Sequence, residues 1–235
     1  MARSNGIRQG IISSTNPKSA VAEAYRTLRT NLGFASLDET CRSILVTSAG
    51  PGDGKSTIAS NLAVVLAQAG HRVILVDCDL RMPMQHKLFG VDNGRGLANC
   101  LLQNLPVEEI AHTGLVPNLT VLTSGPIPPN PAEILASDKV RTLWNSLLEH
   151  YDYLVIDSPP VLAVTDTPLL ASQVMGVLLV VEAAGTRIDI AKNAKEQLVR
   201  ANARLLGVVL NKVKVQSQDY YYYYYYHREE SSPAG

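Results

Sequence analysis

Cysteine is scarce in this chain of 235 residues, which carries only Cys41, Cys78 and Cys100. Three thiols at irregular spacing build neither a disulfide framework nor a zinc site, and they fit a reducing cytosol. Net charge is also missing. The 21 Lys and Arg balance 21 Asp and Glu, so the chain lacks the electrostatic footprint of a nucleic-acid binder, and no nucleic-acid partner is expected. No apolar run reaches the ~20 residues that a membrane-spanning helix needs; the longest lie around 174–181 and 205–210. The opening MARSNGIRQG has no apolar segment to act as a secretory signal. The expectation is a cytoplasmic protein, with any membrane contact supplied by a partner.

What is present is enough apolar sequence, 46%, to bury the core of one α/β domain, which excludes global disorder. Residues 16–37 read as a helix, with Asn16 as its cap, Pro17 at its first position, and Val21, Tyr25, Leu28 and Leu32 as its apolar stripe. Short apolar runs at 43–48, 72–77, 119–123, 153–157, 176–182 and 205–211 read as strands, and 56–69, 137–150 and 188–201 as helices between them. The runs are continuous rather than alternating, so both strand faces should be buried. That pattern predicts a doubly wound, mostly parallel sheet with helices on both sides, occupying residues 1–215. Pro126, Pro128, Pro129 and Pro131 read as a rigid surface loop. Residues 216–235 form a polar, tyrosine-rich tail.

The strongest local signal is Ala49-Gly-Pro-Gly-Asp-Gly-Lys-Ser56, between a predicted strand and a predicted helix. That is the context a P-loop requires. Gly50, Gly52 and Gly54 let backbone N–H groups turn inward around phosphate oxygens, and the helix N-terminus adds positive potential. Lys55 supplies charge to the β- and γ-phosphates of ATP, and the Ser56 hydroxyl suits Mg²⁺. Asp53 and Thr57 complete the nucleotide-binding stretch. Two further strands end in acids, at Asp77-Cys-Asp79-Leu-Arg81 and at Asp157-Ser-Pro-Pro160. Ligands of open parallel sheets bind at the carboxyl ends of strands, so Asp77, Asp79 and Asp157 should converge on the metal and the γ-phosphate. Asp79 and Asp157 suit the metal, and Asp77 the role of general base. Capping or turn formation is the alternative for any one of them.

Together these motifs resemble the bacterial protein-tyrosine kinases of the polysaccharide co-polymerase systems, which are P-loop enzymes with deviant Walker motifs. The resemblance spans Glu23-x-x-Arg26-x-x-Arg29, the P-loop, the 77–81 and 157–160 strand ends and the terminal tyrosines. It implies that Lys55 and Ser56 bind MgATP, that Asp77 is the base for an incoming tyrosine, and that Asp79 and Asp157 organise the metal. It further implies that Arg81 lies at the active-site periphery and that Asn211 reads the adenine, although Asn211 could equally be a turn residue. By resemblance, Glu23, Arg26 and Arg29 form an oligomer contact; a solvated helix face is the other reading. The competing function is a partitioning or septum-positioning ATPase. Such proteins carry a lysine near the loop start, where this chain has Gly50.

Seven consecutive tyrosines, Tyr220, Tyr221, Tyr222, Tyr223, Tyr224, Tyr225 and Tyr226, weigh toward the kinase as its phosphate acceptors. An adhesive, β-prone segment is the alternative. Nine residues from Asn211 could stretch roughly 30 Å, so attack within one chain and attack on a neighbour in a ring both stay open. The resemblance implies a homo-oligomer, a separate transmembrane activator that recruits the kinase to the inner face of the membrane, a cognate tyrosine phosphatase, and a role in capsule or exopolysaccharide export.

Overall fold

A single seven-stranded sheet organises residues 10–35 and 41–214, the part of the chain that the computed structural model describes. Helices α1 (Ile12–Thr15) and α2 (Ala20–Ala35) precede strand β1 (Ser43–Ser48). There follow α3 (Lys55–Gln68), β2 (Val73–Asp77), α4 (Gln85–Phe89), α5 (Leu97–Gln103), α6 (Val107–Ile110), β3 (His112–Val116), β4 (Leu119–Leu122) and α7 (Pro131–Leu135). The chain continues through α8 (Asp138–His150), β5 (Tyr153–Asp157), α9 (Asp166–Ala171), β6 (Gly176–Glu182), α10 (Ile188–Arg200) and β7 (Leu205–Asn211). The strand order is β3-β4-β2-β5-β1-β6-β7, and every neighbouring pair is parallel except β3 with β4. The chain thus lays strands on one side of β1 and then crosses to the other, so β1 lies at the point where the winding reverses. Ligands bind at such points.

Two apolar clusters cover the sheet, one on each face. Leu45, Ile74, Ile156, Trp144 and Leu198 belong to one, and Val46, Leu75, Val155 and most of α3 to the other. Helix α3 is buried almost continuously, from Ile58 to Ala67. It is apolar on every side because α1 and α2 lie over it. Asn61 makes that arrangement possible: its Oδ1 accepts from the Ser13 N–H at 2.9 Å, and its Nδ2 donates to the Gly10 carbonyl at 2.9 Å.

The structure corrects several sequence expectations. Asn16 and Pro17 do not start the long helix. It begins at Ala20, and Ser19 caps it, its Oγ accepting from the Ala22 N–H at 3.1 Å. Its buried stripe runs through Ala22, Tyr25 and Leu32, while Val21, in the first turn, is half exposed. Strand β3 was not foreseen: it is a polar, irregular edge strand that offers no apolar run. Pro131 opens α7 instead of continuing the loop, and Pro128 is buried. Strand β7 is not buried on both faces. It is the sheet edge, and Val208 and Leu210 are 56% and 59% exposed. The tail from 216 lies outside the described residues.

Candidate active site

The carboxyl ends of β1, β2 and β5 meet at one edge. The register sets Asp77 directly beside Asp157, and Val46 of β1 beside Asp157 on its other side. From β1 the chain enters the loop 49–54, where Gly52 and Gly54 adopt φ of +88° and +100°, a region L side chains avoid. An added Cβ at Gly54 would stand 2.1 Å from Asn211 Nδ2, so this position excludes side chains on two grounds. Gly50 has an ordinary φ and open space, and its N–H donates to Asp53 Oδ2 at 2.9 Å. Asp53 is thereby the fastener of the loop: Thr186 Oγ1 donates to its Oδ1 at 3.1 Å, and Asn211 Nδ2 to its carbonyl at 2.8 Å.

Lys55, Ser56, Asp77, Asp79 and Asp157 come together behind this loop. Lys55 Nζ lies 3.1 Å from Asp79 Oδ2 and 3.4 Å from Ser56 Oγ. Burial pulls the lysine pKa down, but the charges of Asp157, Asp79 and Asp77 and the hydrogen bond to Asp79 outweigh it and hold the pKa above its ordinary value. Asp77 is fully buried. Its Oδ2 accepts from the Met84 and Gln85 N–H groups at 3.0 and 2.9 Å, and its Oδ1 from the Asp79 N–H at 3.1 Å. The carboxylate therefore anchors the turn that follows β2. Burial, and then the Asp157 charge, push the Asp77 pKa well above the carboxylate range, against the pull of those N–H bonds. Asp157 is raised too, by burial, with the Lys55 charge, the Gln85 amide and the Ser56 hydroxyl opposing.

Asp157 Oδ1 is buried and has no hydrogen-bond partner. A buried, unsatisfied carboxylate oxygen costs free energy, and beside the Ser56 hydroxyl it makes a hard-oxygen donor set suited to Mg²⁺. Among the described residues no group of three or more His, Cys, Asp and Glu is arranged to hold a metal. A cation here would take its remaining ligands from phosphate and water, as Mg²⁺ commonly does.

The other expected residues lie further out. Thr57 sits half buried in the first turn of α3. Arg81 turns to α9, donating from Nε and Nη2 to the two carboxylate oxygens of Asp166 at 2.8 and 3.0 Å. Glu23, Arg26 and Arg29 are remote on α2: Arg26 pairs with Glu23 and with the Pro17 carbonyl, and Arg29 donates to the Val65 carbonyl at 2.9 Å. Tyr220–Tyr226 lie outside the described residues. Gln85, Thr186 and Asp166 were missed. Each is tied to the site by side-chain partners at least 25 residues away, so no local spacing announces them.

Residues 39–231 match the family model described as ParA, NUBPL iron-transfer P-loop NTPase. Tyrosine-protein kinase YwqD of Bacillus subtilis is 43% identical over 213 residues, covering 91% of this chain and 90% of that one. Among solved structures, the chimerical protein CapA2B2 superposes with a TM-score of 0.85 at 41% identity, covering 88% of this chain and 92% of that chain. The kinase domain of Escherichia coli tyrosine kinase ETK does so with 0.83 at 32% identity, covering 92% and 86%. At this identity, and over nearly the whole length of both chains, these matches show that the chain belongs to the bacterial tyrosine-protein kinases, built on a ParA-like P-loop domain.

Proposed function

We propose that the chain is an autokinase that moves the γ-phosphate of ATP to the tyrosines of its own tail, Tyr220–Tyr226. The observation that carries this reading is that the last strand ends against the phosphate loop. Asn211, at the tip of β7, donates to the P-loop carbonyl of Asp53 at 2.8 Å. Nine residues from Asn211 to Tyr220 span at most roughly 30 Å, so the covalent chain is long enough for the tail tyrosines to reach the phosphate loop. The other tyrosines are engaged in the domain. Tyr25 is buried, which pushes its hydroxyl up to about 12; Tyr151 donates to Thr120 Oγ1 at 3.2 Å; and Tyr153 meets the His71 ring edge-on.

In this reading the loop N–H groups and Lys55 hold the phosphates, Ser56 and Asp157 would hold Mg²⁺ with Asp79 beside them, and Asn211 faces the adenine. Bound Mg²⁺ supplies neutralisation of charge on the β- and γ-phosphate oxygens. Asp77, whose raised pKa suits a base, takes the tyrosine proton. Transfer proceeds between subunits of a ring, with Glu23, Arg26 and Arg29 at the contact. Each phosphotyrosine adds about −1.5 to −2 of charge to a chain whose formal charge is zero, so phosphorylated tails repel and the ring separates until a phosphatase resets it. A membrane-embedded activator recruits the kinase to the inner face of the membrane and ties it to capsule or exopolysaccharide export.

The test mixes two variants in Mg·ATP: Lys55→Met with its tail intact, and a chain with Tyr220–Tyr226 all changed to Phe. Phosphate mapped by mass spectrometry onto the tail of the Lys55→Met subunit, absent when either variant is incubated alone, is the expected result. ATP turnover without tail phosphate in the wild type would refute the acceptor assignment. Wild-type tail phosphate that never appears on the Lys55→Met subunit would refute transfer between subunits.

A further inference from the structure

We propose that Gln85 is a positioning residue of this site, holding the Asp157 carboxylate so that Oδ1 stays available to the metal; this rests on the reading that Ser56 and Asp157 hold Mg²⁺. Gln85 is fully buried at the start of α4. Its Nε2 donates to Asp157 Oδ2 at 2.8 Å and to the Ser56 carbonyl at 3.2 Å, and its Oε1 accepts from the Ser60 hydroxyl at 2.6 Å. Its backbone N–H donates to Asp77 Oδ2 at 2.9 Å. The Gln85 side chain thus joins the end of β5 to the first two turns of α3, and its backbone N–H adds the end of β2.

A carboxylate has two equivalent oxygens and can turn about its terminal bond. A single strong donor on Oδ2 removes that freedom, and it leaves Oδ1 as the oxygen without a partner. The amide orientation is itself fixed, because reversing it would set Oε1 against Asp157 Oδ2 and the Ser56 carbonyl. Partners that orient a metal's ligands typically shift metal affinity 10–100-fold.

The experiment follows binding of a fluorescent ADP analogue to the full chain in the absence of metal and across a Mg²⁺ titration. Gln85→Met keeps the volume and removes the polar contacts. The half-saturating Mg²⁺ is expected to rise about tenfold, with metal-free binding unchanged and wild-type affinity restored at excess Mg²⁺. Restoration by metal is what a general loss of structure would not give. An unchanged Mg²⁺ midpoint, or equal losses with and without metal, would overturn the proposal. Ser60→Ala, which frees the amide to rotate, is measured beside it and gives a smaller shift in the same direction; if Gln85→Met fails to fold, an unchanged midpoint in Ser60→Ala overturns the proposal. A wild type whose ADP affinity does not respond to Mg²⁺ would bring down the metal assignment, and this inference with it.

Discussion

Changing Lys55 to methionine takes away the ammonium that faces Asp77, Asp79 and Asp157, and the structure dictates how the cost should vary with pH. Lys55 and Asp79 side chains are only 13% and 3% exposed. Removing one partner of such a buried pair costs about 3–5 kcal/mol while the other stays charged. The remaining acids can escape part of this by binding protons. Asp157 already lies above the usual carboxylate range, and Lys55 is the largest influence holding it down; without Lys55 it rises further. An acid whose folded pKa exceeds its unfolded value, about 3.9, imposes no penalty below that value. Its penalty grows as pH climbs through the folded pKa and then levels off. Lysine stays charged throughout this range and adds no slope of its own.

The stability gap between wild type and Lys55→Met is therefore expected to be about 1 kcal/mol near about pH 4.5 and to widen to about 3 kcal/mol near about pH 7.5. Urea denaturation at both pH values measures it. Loss of a preorganised positive group at the phosphates should also lower phosphotyrosine formation by at least ~100-fold. A gap of equal size at both pH values would refute the account of the acid cluster, and activity within tenfold of wild type would refute the role of Lys55.

Gly54→Ala should abolish nucleotide binding by calorimetry, and adding Asn211→Ala should not restore it, because the φ of +100° remains after the clash is removed. Arg81→Ala leaves the fully buried Asp166 carboxylate without its partner; a loss of about 2–3 kcal/mol in thermal or urea unfolding is expected, discounted from the buried-pair range because Arg81 is 40% exposed, with partial recovery in Arg81→Ala/Asp166→Asn. Asp77→Asn removes a charge but turns an amide NH₂ toward backbone donors, so its losses and gains offset near neutrality. Because the Asp77 pKa is raised in the fold, that residue gives wild type a share of stability that appears as pH falls toward about 4, and the variant's stability profile should lack it. If Asp77 is also the base, phosphotyrosine formation falls ~10²–10⁴-fold in the variant.

Much of this site is legible in sequence because its chemistry is local. A strand, a glycine loop and a helix follow one another within 43–68, and Asp77 and Asp157 each close a run of buried apolar residues. Parallel strands buried on both faces write themselves as unbroken apolar runs, which is why β1, β2, β4, β5 and β6 are found; β7 is found as well, and only β3 is missed. The edges do not obey this rule. Strand β3 is half polar, and β7 reads as interior although solvent reaches Val208 and Leu210, since an apolar edge strand and an apolar central strand look alike until their neighbours are known.

Helix boundaries fail for a related reason. Asn16-Pro17 is a competent start signal, but α1 docks on Asn61 of α3 and carries those residues past the point where the helix could begin, so Ser19 takes the cap. Gln85 is the sharpest case. In sequence it is one polar residue opening a five-residue helix, and its three side-chain partners lie 25, 29 and 72 residues away. The motifs supply the groups that touch phosphate and metal, whereas the groups that hold them in place come from wherever the sheet brings the chain. A variant survey confined to the P-loop and the strand-end acids would therefore miss Gln85, Thr186 and Asp166, whose loss should impair the same site while every motif residue remains intact.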